Sequence, residues 1–227
     1  MVFLVIILLI VGAVLYFKFS ADPSELKNRS KGRPEDQKKA LRYFLVEDGC
    51  LKKTISDAEY DALVQSVLQT INSKQKAINK IGLDESELQE IEPVHFEGYV
   101  FGDKNSFSKP GKDNLWRSSK YQISWLFFSA TQVYLHQFSF NLDEDGKKES
   151  TEEYFYKDIT NFSTTSDTVE TPYWDNKQNK SLLKNVDSNR FALTVPGDKF
   201  YCSMTQNDYT ERAIQGMKAK LREKKNA

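Results

Sequence analysis

His95 and His136 are the only imidazoles in the 227-residue chain, and its two cysteines, Cys50 and Cys202, form no CxxC pair. That leaves neither a disulfide framework nor a zinc ribbon to build. No GxSxG, HExxH, P-loop or GxGxxG pattern occurs. Both histidines fall in segments read below as strands, where packing or cross-strand hydrogen bonding accounts for them. No catalytic residue and no cofactor are expected. One metal pattern is present. Asn141, Asp143, Asp145, Gly146 and Glu152 match positions 1, 3, 5, 6 and 12 of a helix-flanked calcium loop. Against it, position 1 is Asn, position 8 is Lys148 where an apolar residue belongs, and strands flank the loop. A hairpin turning on Asp145-Gly146 accounts for the same residues, and that is the reading taken. The remaining cluster is basic. Lys104, Lys109, Lys112, Arg117 and Lys120 face only Asp103 and Asp113 within residues 102–120. Lysines as point charges and Arg117 as a forked donor suit phosphate, so this segment is the candidate lipid- or anion-binding site. The plain alternative is a solvated loop.

The elements that must position these residues follow from composition and period. Lys plus Arg and Asp plus Glu are both 32, so the formal charge is zero and the basic footprint of a nucleic-acid binder is missing. Hydrophobic residues make up 39% and aromatics 13%, enough for a packed core, which excludes wholesale disorder. Residues 1–17, MVFLVIILLIVGAVLYF, carry no charged side chain and as a helix would extend about 25 Å, near the lower limit for crossing a bilayer. A retained anchor is preferred to a signal peptide, because no Lys or Arg precedes Lys18. Seven basic residues from Lys18 to Lys39 place the rest of the chain on the cytoplasmic side.

Residues 18–33 read as a polar tether. Pro34, Glu35 and Asp36 open a helix with Ala40, Leu41, Phe44 and Leu45 on one face. Ser56 and Glu59 form a capping box for a longer helix that ends at Gly82. Its stripe of Tyr60, Leu63, Val64, Val67, Leu68, Ile71, Ile78 and Ile81 is expected to dock on a neighbouring layer. After Pro93 the period changes to that of strands, expected at 94–101, 121–129, 132–141, 153–162, 190–195 and 199–204. In the third, Tyr134, His136, Phe138 and Phe140 share one face while Val133 and Leu135 occupy the other, as in a closed or two-layered sheet. A final helix from about Asn207 to Lys225 carries Tyr209, Ile214, Met217 and Leu221 as its apolar stripe.

The succession YQISWLFFSATQVYLHQFSF, EEYFYKDITNFSTT, FALTVPGDKFYCSM and a closing helix resembles the small bacterial pleckstrin-homology-like (PH-like) domains. The resemblance covers about residues 94–226, with the polar segment 163–188 as a departure that such domains shorten to a turn. It implies an α+β fold: an antiparallel PH-like barrel or sandwich plugged by a C-terminal helix, membrane-associated and non-catalytic.

The expected organisation is an anchor at 1–18, a linker at 19–33, a helical segment at 34–92 and a PH-like β domain at 93–227. The expected function is a membrane-anchored binding or adaptor protein, localised as a single-pass protein of the cell membrane. Its partners would be the membrane surface, anionic lipid or another protein, with no nucleic acid. The alternative is an anchored extracytoplasmic domain that binds a ligand or calcium. Charge is unevenly spread: residues 54–103 hold three basic and ten acidic side chains, and residues 212–225 six basic and one acidic. The acidic helices are therefore expected either to dock on the basic C-terminal helix or to face away from an anionic surface.

Overall fold

A computed structural model describes residues 22–48, 53–82 and 91–226. The chain forms three layers. On the outside lie α1 (Ser24–Ser30), α2 (Glu35–Leu45), α3 (Asp57–Ile71) and α4 (Ser73–Ile81). The middle layer is a four-stranded antiparallel sheet of β1 (Val94–Tyr99), β4 (Lys120–Phe128), β5 (Gln132–Asn141) and β6 (Lys147–Phe155), in that order. The third layer is a five-stranded sheet ordered β3 (Trp116–Ser118), β2 (Ser108–Pro110), β7 (Asn161–Asp175), β8 (Lys180–Val195) and β9 (Asp198–Ser203), with α5 (Asp208–Asn226) beside it.

Strand alternation dictates this layering, since a sheet apolar on both faces must be covered on both. The pairs Tyr121–Phe140, Ile123–Phe138, Trp125–His136 and Phe127–Tyr134 stack across β4 and β5 on one face. Tyr121, Ile123, Phe138 and Phe140 meet Leu41, Phe44, Tyr60 and Val64 of the helices, and Phe127 and Tyr134 meet Ala77 and Ile78 of α4. The Trp125 indole also donates to Ser73 Oγ at 3.0 Å, fixing the start of α4. The opposite face presents Leu126, Phe128, Val133 and Leu135 to Phe162, Phe191, Leu193 and Cys202 of the second sheet and to Ile214, Met217 and Leu221 of α5.

Several expectations are corrected. Residues 1–18, the expected anchor, lie outside the described residues, and among the described residues no helix is long and apolar enough to cross a membrane. The fold is α+β with two sheets, and the single-pass membrane localisation drawn from the anchor is withdrawn. The sheets do not close into a barrel by a shared ladder: they face each other as separate ladders. Residues 24–30, read as tether, form α1, because Leu26 is buried in the core and Asp22 takes both guanidinium ends of Arg42 at 2.7 and 3.1 Å. The long helix from Ser56 keeps its capping box but breaks at Asn72, whose left-handed φ of 47° ends α3 and starts α4. The expected strand 153–162 is divided by a turn between β6 and β7. The polar stretch 163–188 is not a loop: it is most of a hairpin in which β7 pairs with β8 from Asn161–Thr194 to Asp175–Lys180. Threonine is frequent on β7, at 164, 165, 168 and 171, and suits a two-stranded arm that is largely wet.

The sheets cross closely at Gly98 in β1. A Cβ there would lie 3.1 Å from the backbone N and C of Met204, just after β9, so only glycine admits this approach. Gly98→Ala should therefore lower stability by about 1–3 kcal/mol. Gly216→Ala on α5, where a Cβ meets nothing within 4 Å, should raise it by about 0.5–1 kcal/mol. Urea midpoints of the two variants check the pair, and equal effects would refute the close-approach account.

Candidate functional site

Most cations of the basic segment, the candidate anion site, are engaged within the protein. Arg117, only 4% exposed, spends its guanidinium on two carboxylates. Its Nε and Nη2 donate to Asp61 of α3 at 2.8 and 2.7 Å, and its Nη1 and Nη2 donate to Asp113 at 2.9 and 2.8 Å. The Arg117 hydrogen bonds hold the Asp113 carboxyl down at about 2 and push the guanidinium further above its already high value. Lys109 donates to the Tyr43 carbonyl at 3.0 Å and lies 5.0 Å from that ring's centre. Burial holds this ammonium below its ordinary value. Lys112 pairs with Asp48 and Lys120 with Asp103. Lys104 is exposed on the turn before β2. Four of the five cations thus bind the protein itself, and three of them, Lys109, Lys112 and Arg117, reach the helical layer or the loop that follows α2. The acidic helices meet this loop through Asp57 and Asp61, rather than the basic C-terminal helix.

Tyrosines extend the seam. The Tyr43 hydroxyl donates to Asp57 at 2.8 Å, that of Tyr99 to Asp61 at 2.7 Å, and that of Tyr60 to the Ser118 carbonyl at 2.8 Å. Tyr43 stacks on Tyr60 with ring centres 4.3 Å apart. Burial above all raises the phenol pKa values of Tyr43, Tyr60 and Tyr99, so these hydroxyls stay protonated donors at any ordinary pH.

The residues of the calcium pattern are placed apart. Asn141 and Gly146 close the β5–β6 hairpin, the Asn141 N–H donating to the Gly146 carbonyl at 2.9 Å. Glu152 lies along β6 opposite Leu135, away from the turn. Asp145 accepts from Gln37 at 2.7 Å, and Asp143 is buried against Ser119. Among the described residues no three His, Cys, Asp or Glu side chains converge to hold a metal ion. His136 is fully buried, with Nε2 2.9 Å from Glu149 Oε1. The Cys202 thiol is buried in the core, which pushes it up to about 12, so it is an inert apolar filler.

Where the three layers meet, an open groove runs along the seam. Its first lobe, about 350 Å³, is lined by Asp61, His95, Glu97, Tyr99, Tyr121 and Tyr209. A second lobe, about 530 Å³, shares Asp61, Tyr99 and Thr205 and continues past Trp116, Arg117 and Asp187. Three carboxylates thus line the groove against one guanidinium, and that guanidinium is already paired. Glu97 accepts from the Tyr121 hydroxyl and Asp187 from Thr168 at 2.8 Å, which orients both carboxylates without neutralising them. Burial holds the His95 imidazole below its ordinary value, and its Nδ1 lies 3.1 Å from the Tyr209 hydroxyl. At neutral pH it adds no positive charge. Aromatic walls and unneutralised carboxylates suit a cation, which gains from both.

The sequence reading missed Asp61, Glu97 and Asp187. One signal existed: Asp57 and Asp61 flank the apolar Tyr60 and Val64 on α3, an odd place for two acids unless cations face them. Compared with known proteins, the chain matches no family model, no curated protein and no solved structure.

Asp61→Asn should cost about 2–3 kcal/mol, since it leaves a buried guanidinium with one carboxylate, and Arg117→Lys, which keeps the charge but loses the fork, should cost about as much. Equilibrium unfolding in urea checks both. A pH effect follows from Asp143, 2% exposed, whose carboxyl burial raises to about 6. The folded state then binds this proton more tightly than the unfolded chain. Stability from this group accordingly grows as pH falls from about 6 toward 4, and its charged form opposes folding above that window by about 2–3 kcal/mol. Asp143→Asn should stabilise the protein at neutral pH and flatten that rise in the urea midpoint.

Proposed function

We propose that the protein is a non-catalytic binding module that holds a positively charged segment of a protein partner in the groove between its helical layer and its two sheets. The observation that carries this is the sign of the groove: among the described residues Glu97 and Asp187 line it without a cation partner, and the one guanidinium there is consumed by Asp61 and Asp113. A Lys or Arg side chain entering beside Tyr99, Tyr121 or Trp116 would find an aromatic face and a carboxylate together. Two adjoining lobes suit an extended segment better than a compact small molecule. The order of elements supports a PH-like construction: a four-stranded meander of β1, β4, β5 and β6, a three-stranded one of β7, β8 and β9, then a closing helix. The anionic-lipid reading of residues 102–120 is set aside, because Lys109, Lys112, Arg117 and Lys120 already have partners in the protein.

The test is fluorescence anisotropy with two labelled peptides of equal length, one alternating Lys with aliphatic residues and one alternating Glu with the same residues. The basic peptide should bind and weaken as salt is raised, while the acidic one should not bind. Glu97→Gln and Asp187→Asn, neither of which holds Arg117, should each weaken binding about fivefold to tenfold, in keeping with about 1 kcal/mol per contact. Equal binding of both peptides, or no response to either substitution, would remove the groove as a cation site.

A further inference from the structure

The two sheets leave open edges, and among the described residues side chains from elsewhere meet backbone groups on two of them, β9 and β1. On β9 the Tyr201 carbonyl accepts from Gln137 at 2.9 Å and the Ser203 N–H donates to Gln122 at 2.8 Å. Just beyond it, the Thr205 N–H donates to the Glu97 carbonyl at 2.8 Å. On β1 the His95 N–H donates to the Tyr209 hydroxyl at 3.2 Å. β3 is only three residues long. β6 differs: it has nine residues, contains no proline, and among the described residues it pairs with β5 alone. Its register, from Gln132–Phe155 to Phe140–Lys147, runs without a bulge.

The backbone of β6 has a definite parity. At the two ends of the ladder, Asn141 donates to the Gly146 carbonyl and Tyr156 to the Thr131 carbonyl, so even-numbered residues of β6 bond inward. Alternation in an antiparallel pair then leaves the N–H and C=O groups of Lys147, Glu149, Thr151 and Glu153 facing outward. A strand added antiparallel to this edge must match odd residues with outward-facing groups of its own.

The sequence of β6, KKESTEEYF, meets that demand with itself. Centred on Ser150, a two-fold axis sets Lys147 opposite Glu153 and Lys148 opposite Glu152 of a second copy, and each pair recurs by symmetry. Odd residues meet odd residues, as the free backbone groups require. These four side chains are exposed. Glu149, which would oppose Thr151, is engaged within its own chain by His136 and Lys76. The neighbouring even registers fail: centring on Thr151 sets Glu149 opposite Glu153, and centring on Glu149 sets two glutamates face to face. Charges on an edge ordinarily block pairing. Here their order blocks other strands and admits a copy of the same one.

We infer that two copies of this chain associate through antiparallel pairing of their β6 edges about Ser150, joining the two four-stranded sheets into one. The inference is independent of the groove, which lies at the opposite edge of the sheet.

Symmetric cysteine cross-linking of the intact chain tests it. Ser150 is an inward-bonding residue, so at the axis it forms a non-hydrogen-bonded pair with its mate, with Cα atoms about 4.5 Å apart, within disulfide range. Ser150→Cys should therefore yield a covalent dimer on mild oxidation, seen on non-reducing gels. Glu153→Cys, whose mate would lie six residues along the strand, about 20 Å away, should not. In the Ser150→Cys background, Lys148→Glu should cut the dimer about tenfold, since two attractive cross-strand pairs become repulsive, and the double change Lys148→Glu with Glu152→Lys should restore it. Thr151→Pro removes an outward N–H and spares the bonds to β5, so it should abolish the dimer while circular dichroism stays that of the parent. Equal cross-linking of Ser150→Cys and Glu153→Cys, or a Lys148→Glu effect that the charge swap does not reverse, would overturn the inference.

Discussion

One buried guanidinium fixes how the layers of this molecule meet. Arg117 on the short strand β3 reaches Asp61 on α3 and Asp113 in the preceding turn, with only 5% of its side chain exposed. A charge so placed constrains the arrangement, because losing either carboxylate leaves a buried guanidinium with only half of its compensation. The turn must therefore come close. A Cβ on Gly111 would crowd Arg117 Nη1 and the carboxylates of Asp113 and Asp57, so a larger residue there would have to displace these paired side chains. From that point the helical layer is registered on the sheet. Asp57 then receives Tyr43 and the Lys112 N–H, Asp61 receives Tyr99, and Tyr60 reaches the Ser118 carbonyl.

The same contact explains why the groove is acidic. Had the basic segment been solvated, the seam would carry its positive charge outward. Because Asp61 of α3 and Asp113 take the Arg117 guanidinium between them, the one cation in the groove is spent among the described residues, and the carboxylates of β1 and β8 remain uncompensated beside the tyrosines. Charge counted by segment pointed the other way, since counting cannot tell a cation that faces solvent from one that closes a seam.

What could be read from the sequence was what depends on near neighbours. The capping box of Ser56 and Glu59, the alternation that gives β5 two apolar faces, and the stripe of Ile214, Met217 and Leu221 all rest on a few consecutive residues. They needed only period and cap chemistry. What could not be read depends on partners distant in the chain. The break at Asn72 needs a left-handed residue that the continuing apolar stripe concealed. Most of the β7–β8 arm stood out in sequence only as a long polar segment, and the ladder between its two halves is what makes them strands. The groove draws Asp61, Glu97 and Asp187 from three elements with no spacing in common, so no motif could have announced it.

Edge management shows why two open sheets are workable where closure into a barrel would have hidden the problem. Gln122 and Gln137 sit on β4 and β5, and in sequence they look like the solvent positions of an alternating strand. In the fold each reaches a free backbone group of β9, at Ser203 and Tyr201. Each amide thus does for the second sheet what a neighbouring strand would have done. Tyr209 does the same for β1 through His95, from the first turn of α5. That turn is itself held by reciprocal bonds between Asn207 and Thr210, each side chain accepting from the other's N–H at 3.0 Å. Closing an edge in this way needs a side chain of the right length on an element already packed nearby, and among the described residues none bonds the outward backbone groups of Lys147, Glu149, Thr151 and Glu153 on β6. Its edge is left to its own charges, so the chemistry of one sheet edge follows from where the second sheet docks on the first.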